Sequence, residues 1–375
     1  MKYDILLKNG EVVDPVKGKR RIQDVALASG KVSAVEEDIP VEQSRRVIDV
    51  NGKLVTPGLI DLHTHVYWGS TRVGVDPDRL CAVSGVTTMV DAGSAGVSNF
   101  LGLRKYVIEK AKCHIVPFLN LSSIGIVDPV VGELEDLRYI DVKQTIRFIE
   151  ENRDIVRGVK VRVAKHAVGA NGVTPLLLAR DVADAVGLPL MVHFAPQPPT
   201  LSEILPILKS KDILTHVFNG NTPILDGDGC IRRDVIEARK RGVVMDVGHG
   251  AGSFNFDIAE KALKQGFKPD TVSTDVHSTS IKGPLFDLPT TMSKFVNMGL
   301  DIEEVLYAAT VKPAETLQMA EKIGNLNIGS SGDVAVFDLV YGEYDFHDTS
   351  GKTLRGDRRL VNVLTICKGQ VVKRY

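Results

Sequence analysis

Two of the nine histidines in this 375-residue chain, His63 and His65, stand one residue apart at the end of the apolar run Val55-Thr56-Pro57-Gly58-Leu59-Ile60-Asp61-Leu62. Side chains alternate faces along a strand, so both imidazoles point the same way and can reach one metal ion. The Pro-Gly entry and the apolar lead-in place the pair at the carboxyl end of a buried strand, where parallel α/β barrels carry their active sites. Other apolar runs also end in side chains that bind metals or move protons. Lys160 lies within Gly158-Val159-Lys160-Val161-Arg162-Val163, His193 follows Met191-Val192, His216 follows Leu214-Thr215, His249 follows Val247-Gly248, and Asp275 follows Ser273-Thr274. Imidazole nitrogen and carboxylate oxygen are donors for divalent cations, so the chemistry suggested is metal-assisted attack on a polar bond.

The elements needed to hold these side chains are legible in the surrounding pattern. Apolar runs recur at Leu59–Leu62, Thr87–Val90, Ile115–Leu121, Gly158–Val163, Pro189–Val192, Ile213–Thr215, Val243–Val247 and Thr271–Ser273, with amphipathic segments such as Asp141–Glu151 and Thr174–Ala185 between them. Strand and helix alternating eight times predicts a (β/α)8 TIM barrel over 56–319, although periodicity alone also fits a doubly wound open sheet. Residues 1–55 read as short strands with the turns Asn9-Gly10, Ser29-Gly30 and Asn51-Gly52, and 320–375 has the same texture. Neither end can bury a core alone, so the two are expected to form one small β-sandwich domain.

Composition narrows the partners. With 43% hydrophobic residues, 25% charged residues and a net charge of -1, the chain reads as globular and gives no reason to expect nucleic acid or an anionic membrane as a partner. Cys81, Cys113, Cys230 and Cys367 form no C-x-x-C pair and are expected to be buried reduced thiols. The amino-terminal apolar run is too short for a signal peptide and no segment reaches membrane-spanning length, so the expected location is the cytoplasm. A homo-oligomer is left open.

The ordered set of H-x-H, Lys, His, His and Asp at strand ends one, four, five, six and eight resembles the amidohydrolase superfamily of metal-dependent hydrolases. The likeness runs the whole length of the chain. The segments Gly158–Val163, Val247–Phe254 and Leu288–Phe295 are most similar to its dihydroorotase-like or deacetylase-type members. That resemblance implies two divalent ions, zinc by preference, one held by His63, His65 and Asp275 and the other by His193 and His216. It also implies that Lys160 bridges them as an N-carboxylated lysine formed with CO2. Strand parity agrees with Lys160, because Val159, Val161 and Val163 share a face suited to helices and leave Lys160 and Arg162 pointing inward, whereas Lys165 has the other parity. In this reading a metal-bridging hydroxide attacks the carbonyl, with Asp275 as proton shuttle.

Within the superfamily the residues favour hydrolysis of an N-acyl or O-acyl acid. The glutamate that deaminases place after the strand-five histidine is replaced by Phe194-Ala195-Pro196-Gln197, and strand three lacks the glutamate of sugar-phosphate deacetylases. Dihydroorotases carry arginine two residues after H-x-H, where this chain has Tyr67. Tyr67, Arg162, Asn219 and His249 are the candidate contacts to a small substrate, and Arg162 suits a carboxylate. His277 is expected behind the metal ligands, and His114 and His347 lie away from the rim. Ring-opening cyclic amidohydrolase activity is the alternative. A catalytically silent assembly protein of the same fold is a different class, disfavoured because every ligand position is filled.

Overall fold

The computed structural model describes residues 1–372. Seven parallel strands, Leu59–Thr64, Val86–Ala92, His114–Asn120, Gly158–Arg162, Leu190–His193, Ile213–Thr215 and Val244–Asp246, lie side by side in chain order. The expected eighth strand is present without a regular ladder. Thr271 bridges to Asp246 on one side and Val276 to Thr64 on the other, and the amides of His65 and Asp275 cross to the carbonyls of Val276 and His63. The barrel therefore closes. The ladder is broken because Asp275 has φ 51°, which turns the chain out of extended geometry. Asp61 pins this segment to the first strand by accepting from the Thr274 amide and hydroxyl, and burial pushes its carboxyl up to about 7.

Register explains how the interior is layered. Asn120, Lys160, Met191, Ile213 and Val244 are lateral neighbours, and two residues further along the same strands Arg162, His193, Thr215 and Asp246 form the next layer. Below them Ile60, Leu62, Val90, Val116 and Phe118 pack with Ala314, Leu317 and Ile323, which closes the amino-terminal end of the barrel. Val159, Val161 and Val163 face outward with Leu176, Ala179 and Ala183 of the helix Thr174–Val186, as period-two parity requires.

The second sheet joins the two ends of the chain. Leu54–Pro57 pairs in parallel with Tyr3–Asp14 and antiparallel with Val334–His347, which in turn pairs with Thr353–Cys367. Ile5, Leu7, Val25, Leu27, Val55, Val334, Val336 and Ile366 form its buried core. The sequence between Pro57 and Leu59 is thus the junction, and the Gly58 amide is held by the Asp333 carbonyl. Three of the four cysteines are buried as expected, whereas Cys230 is exposed because it lies in the turn that Asp226 closes. No helix among the described residues is long and apolar enough to cross a membrane.

Candidate metal centre and active site

Six polar side chains converge at the carboxyl-terminal mouth of the barrel. His63, His216 and Asp275 place ligand atoms within 4.8 Å of one another. The Asp275 Oδ1 is 3.4 Å from His63 Nε2 and 3.2 Å from His65 Nε2. The Lys160 Nζ is 3.1 Å from His63 Nε2 and 3.4 Å from Met191 Sδ, and His216 Nε2 faces His193 Nδ1 at 2.8 Å.

Each imidazole is tethered through one ring nitrogen and turns the other inward. His216 Nδ1 donates to the Gly248 carbonyl at 2.6 Å, and His193 Nε2 donates to the Ala195 carbonyl at 3.1 Å. A carbonyl can only accept, so in neutral rings the two inward nitrogens both present lone pairs. Facing each other at 2.8 Å, these lone pairs repel unless a cation is shared between them. His65 Nδ1 is held by Ser94 Oγ at 3.0 Å, and His63 Nδ1 by Thr215 Oγ1 at 2.8 Å. Thr215 spends its own proton on Asp246 Oδ2 at 2.7 Å, so its oxygen accepts from His63. Asp246 also accepts from Thr271 and Ser273. This is the outer support that orients metal-binding imidazoles.

Burial sets the charge states. It lowers the imidazole of His63 well below its ordinary range, with Lys160 adding to the effect, and it brings His216 down to about 4. Burial likewise lowers the Lys160 ammonium to about 7. Burial opposes ionisation of Asp275, and the carboxyl is held well below its ordinary value where positive charge sits at His63, with a hydrogen bond from His65 adding to it, so the carboxylate calls for a cation among these rings. The site thus offers neutral nitrogens, an ionised carboxylate and an amine accessible in its neutral form, a donor set that fits two divalent cations.

Two glycines allow the loop after the seventh strand to close on this cluster. A Cβ at Gly248 would lie 2.3 Å from Thr215 Oγ1, and one at Gly250 would lie 2.6 Å from Asp275 Oδ2. Both have positive φ, 47° and 56°, which glycine adopts without strain. The loop's Ala251, Gly252 and Ser253 then line a cavity of about 410 Å³ that opens onto His63, His65, Lys160, His193 and Asp275.

The four expected substrate contacts are placed differently from one another. Arg162 lines the cavity, with its guanidinium 3.2 Å from Glu133 and 2.6 Å from His166 Nε2. Tyr67 is buried, donates its hydroxyl to the Asn99 carbonyl, and lies outside the cavity lining among the described residues. Asn219 uses both ends of its amide on the His216 carbonyl and the Asn221 and Thr222 amides, so it shapes the loop after the sixth strand. His249 is buried, stacks on Phe254 with centroids 4.5 Å apart, and accepts from Lys294 at 2.7 Å. His277 lines the cavity wall. Glu133, Ser94, Thr215 and Asp246 carried no signal in the sequence, although Ser94 lies in Ala92-Gly93-Ser94-Ala95-Gly96, a segment that imitates a nucleophile turn.

Comparison with known proteins identifies the family. The chain is 37% identical over 360 residues to a deacetylase of Agrobacterium fabrum (strain C58), covering 94% of this chain and 87% of that one. It is 35% identical over 377 residues to a deacetylase of Enterococcus faecalis, covering 99% of each, and a model of the amidohydrolase family matches residues 233–372. The chain belongs to the amidohydrolase family. Among solved structures, one titled an adenine deaminase superposes with TM-score 0.92 at 35% identity, covering 98% of this chain and 99% of that one. One titled a dihydroorotase superposes with TM-score 0.89, also at 35% identity, covering 98% and 97%. As an amidohydrolase the chain is a hydrolase acting on small molecules, on a (β/α)8 barrel with a β-sandwich built from both termini.

Proposed function

We propose that this amidohydrolase is a binuclear metal-dependent deacetylase that removes the acyl group from an N-acyl or O-acyl acid. The observation that carries the metal reading is the pair of lone pairs on His193 and His216 facing at 2.8 Å, each fixed by a carbonyl behind it. His63, His65 and Asp275 would hold one ion, His193 and His216 the other, and Lys160, N-carboxylated by CO2, would be shared. The fall of Lys160 to about 7 supports this, because only a neutral amine adds CO2. Zinc is the ion that a nitrogen-and-oxygen donor set of this kind favours. When bound, such ions polarise a carbonyl and acidify water.

The chain's own residues supply the rest. Arg162, held by Glu133, is positioned at the cavity wall to pair with the substrate carboxylate. Asp275 is ionised and takes the proton that water loses as its oxygen bonds to the acyl carbon. When the C–N or C–O bond breaks, Asp275 returns that proton to the leaving nitrogen or oxygen. The names of the two curated relatives favour deacylation. The adenine deaminase and dihydroorotase structures stand for different reactions at equal identity and so do not select one, and Tyr67 stands where dihydroorotases carry arginine.

Purified protein assayed with acetylated amino and hydroxy acids beside dihydroorotate, hydantoins and adenine tests the reading. Hydrolysis of acetylated acids, abolished by chelation and restored by zinc, is the expected result. Turnover confined to the cyclic imides, or activity indifferent to chelation, would overturn it.

A further inference from the structure

A second cluster of metal-binding side chains lies at the opposite end of the barrel, outside the site described above. His114 begins the third barrel strand, Asp333 immediately precedes Val334–His347, and Cys367 ends Thr353–Cys367. Their ligand atoms lie within 4.8 Å of one another. His114 Nε2 and Asp333 Oδ2 face each other at 3.1 Å as buried atoms in poor hydrogen-bond alignment, and the imidazole helps hold the Asp333 carboxyl below its ordinary value against burial. Asp333 itself is only 3% exposed, and its other oxygen accepts from the Lys368 amide at 2.7 Å.

Two more thiols complete the neighbourhood. Cys81, on the helix Pro77–Ser84, makes side-chain contacts to both Cys113 and Cys367. A buried, protonated thiol is a weak donor and acceptor and needs no such company. Lys368 brings a cation to the edge of the group, its Nζ on the Cys113 carbonyl at 3.1 Å. A cavity of about 370 Å³, lined by Ala111, Lys112, Lys368 and Val372, reaches the cluster at Cys367.

We propose that His114, Asp333 and Cys367, with Cys81 as fourth ligand, form a structural site for one divalent ion of the zinc class. Imidazole nitrogen, carboxylate oxygen and two thiolates are a donor set for tetrahedral zinc. Metal–donor bonds of about 2.0 to 2.3 Å place donors about 3.3 to 3.8 Å apart. His114, Asp333 and Cys367, within 4.8 Å of one another, need a small contraction to reach that spacing, and Cys81, which neighbours Cys367, has to swing toward His114 and Asp333 to complete it. Both thiols lose their protons to solvent as the ion enters, leaving two thiolates and one carboxylate around it. The ion would tie a barrel helix and a barrel strand to the two strands that carry the carboxyl-terminal half of the second sheet. Its place at the amino-terminal end of the barrel strands assigns it to stability, because catalysis occupies the other face.

Cobalt(II) distinguishes this site from the catalytic one, since the catalytic cluster contains no thiolate. Full-length protein carrying Cys230→Ser, which removes the exposed thiol, is stripped, reduced and titrated with cobalt(II) alone. A thiolate-to-cobalt charge-transfer band whose final intensity corresponds to one thiolate-bound cobalt per chain is expected. The band should persist in a His63→Ala/His65→Ala variant, disappear in Cys367→Ser and in Cys81→Ser, and shift in His114→Asn. Turnover in His114→Asn should stay within twofold of the parent. Absence of the band in the reduced parent, its survival in Cys367→Ser, or a Cys81–Cys367 disulfide in freshly purified protein would overturn the proposal. If the cysteine variants do not fold, alkylation of the zinc-loaded parent decides: one zinc equivalent released supports the site, and none released refutes it.

Discussion

Lys160 imposes a cost on the metal-free protein, and that cost has a definite dependence on pH. Its side chain is 1% exposed, with a histidine nitrogen and a thioether as nearest partners. Burial takes the ammonium from 10.5 to about 7. At about 1.4 kcal/mol per pH unit, this amounts to as much as about 5 kcal/mol of stability withheld while the amine is charged. The folded pKa lies below the unfolded one, so between pH 7 and 10.5 the unfolded chain binds more protons and stability rises with pH. Below pH 7 both states are protonated and the penalty is full. Above 10.5 it is gone. Replacing Lys160 by Met, of similar length and without charge, should make the stripped protein more stable near pH 6.5 by several kcal/mol, with the advantage shrinking toward pH 10. The same variant should fail to retain two ions and lose at least about 10³-fold in kcat, since ligand and charge are both lost. Urea unfolding of chelator-treated protein in CO2-free buffer, from pH 6.5 to 10, reads the first effect, and metal analysis with turnover reads the second. Parallel stability curves for the two proteins, or a less stable variant at every pH, would refute the placement of a charge-averse amine in the barrel.

Three further substitutions probe the supports. Gly250→Ala adds a Cβ 2.6 Å from Asp275 Oδ2 on a backbone with φ 56°. It should lower kcat by about 10² while costing only about 1 to 2 kcal/mol of stability, and unchanged kcat would show that the loop does not control Asp275. Thr215→Val cuts the link from Asp246 to His63, so metal affinity in competition with a chelator should fall about 10- to 100-fold. Equal affinity would remove Thr215 from the support. Arg162→Lys keeps the charge near Glu133 but loses the planar fork; KM for a carboxylate-bearing acetylated substrate should rise about tenfold or more with metal content unchanged, and an unaltered KM would end the case for carboxylate recognition there.

What the sequence made legible depends on how far strand periodicity reaches. His63, His65 and Lys160 could be aimed because a strand repeats every two residues, and the register that sets Lys160 beside Met191 is the outcome of that rule. The rule ends where the strands end. Tyr67 lies two residues beyond His65, but the strand stops at Thr64, and the turn carries the phenol to Asn99. His249 is flanked by two glycines of positive φ, which remove it from strand parity and direct it to Lys294, a lysine in the helix Leu288–Asn297 that no local pattern connects to it. Asn219 spends its amide on its own loop.

The outer support is hidden for a different reason. Thr215 and Asp246 sit on adjacent strands 31 residues apart in sequence, and Thr215 meets His63 across 152 residues, from the other side of the barrel. Such partners become neighbours only when a closed barrel brings non-consecutive strands face to face across its interior. A threonine inside an apolar run reads as a strand former, and nothing local marks it as the acceptor that fixes a histidine tautomer. The cysteines follow the same logic at the other end. Cys81, Cys113 and Cys367 look scattered along the chain, and only the return of the carboxyl-terminal strand under the barrel assembles them beside His114 and Asp333. Ligands carried at strand ends can be read from local spacing, whereas a cluster assembled by the meeting of two sheets cannot, so this second site has to be sought in the folded chain.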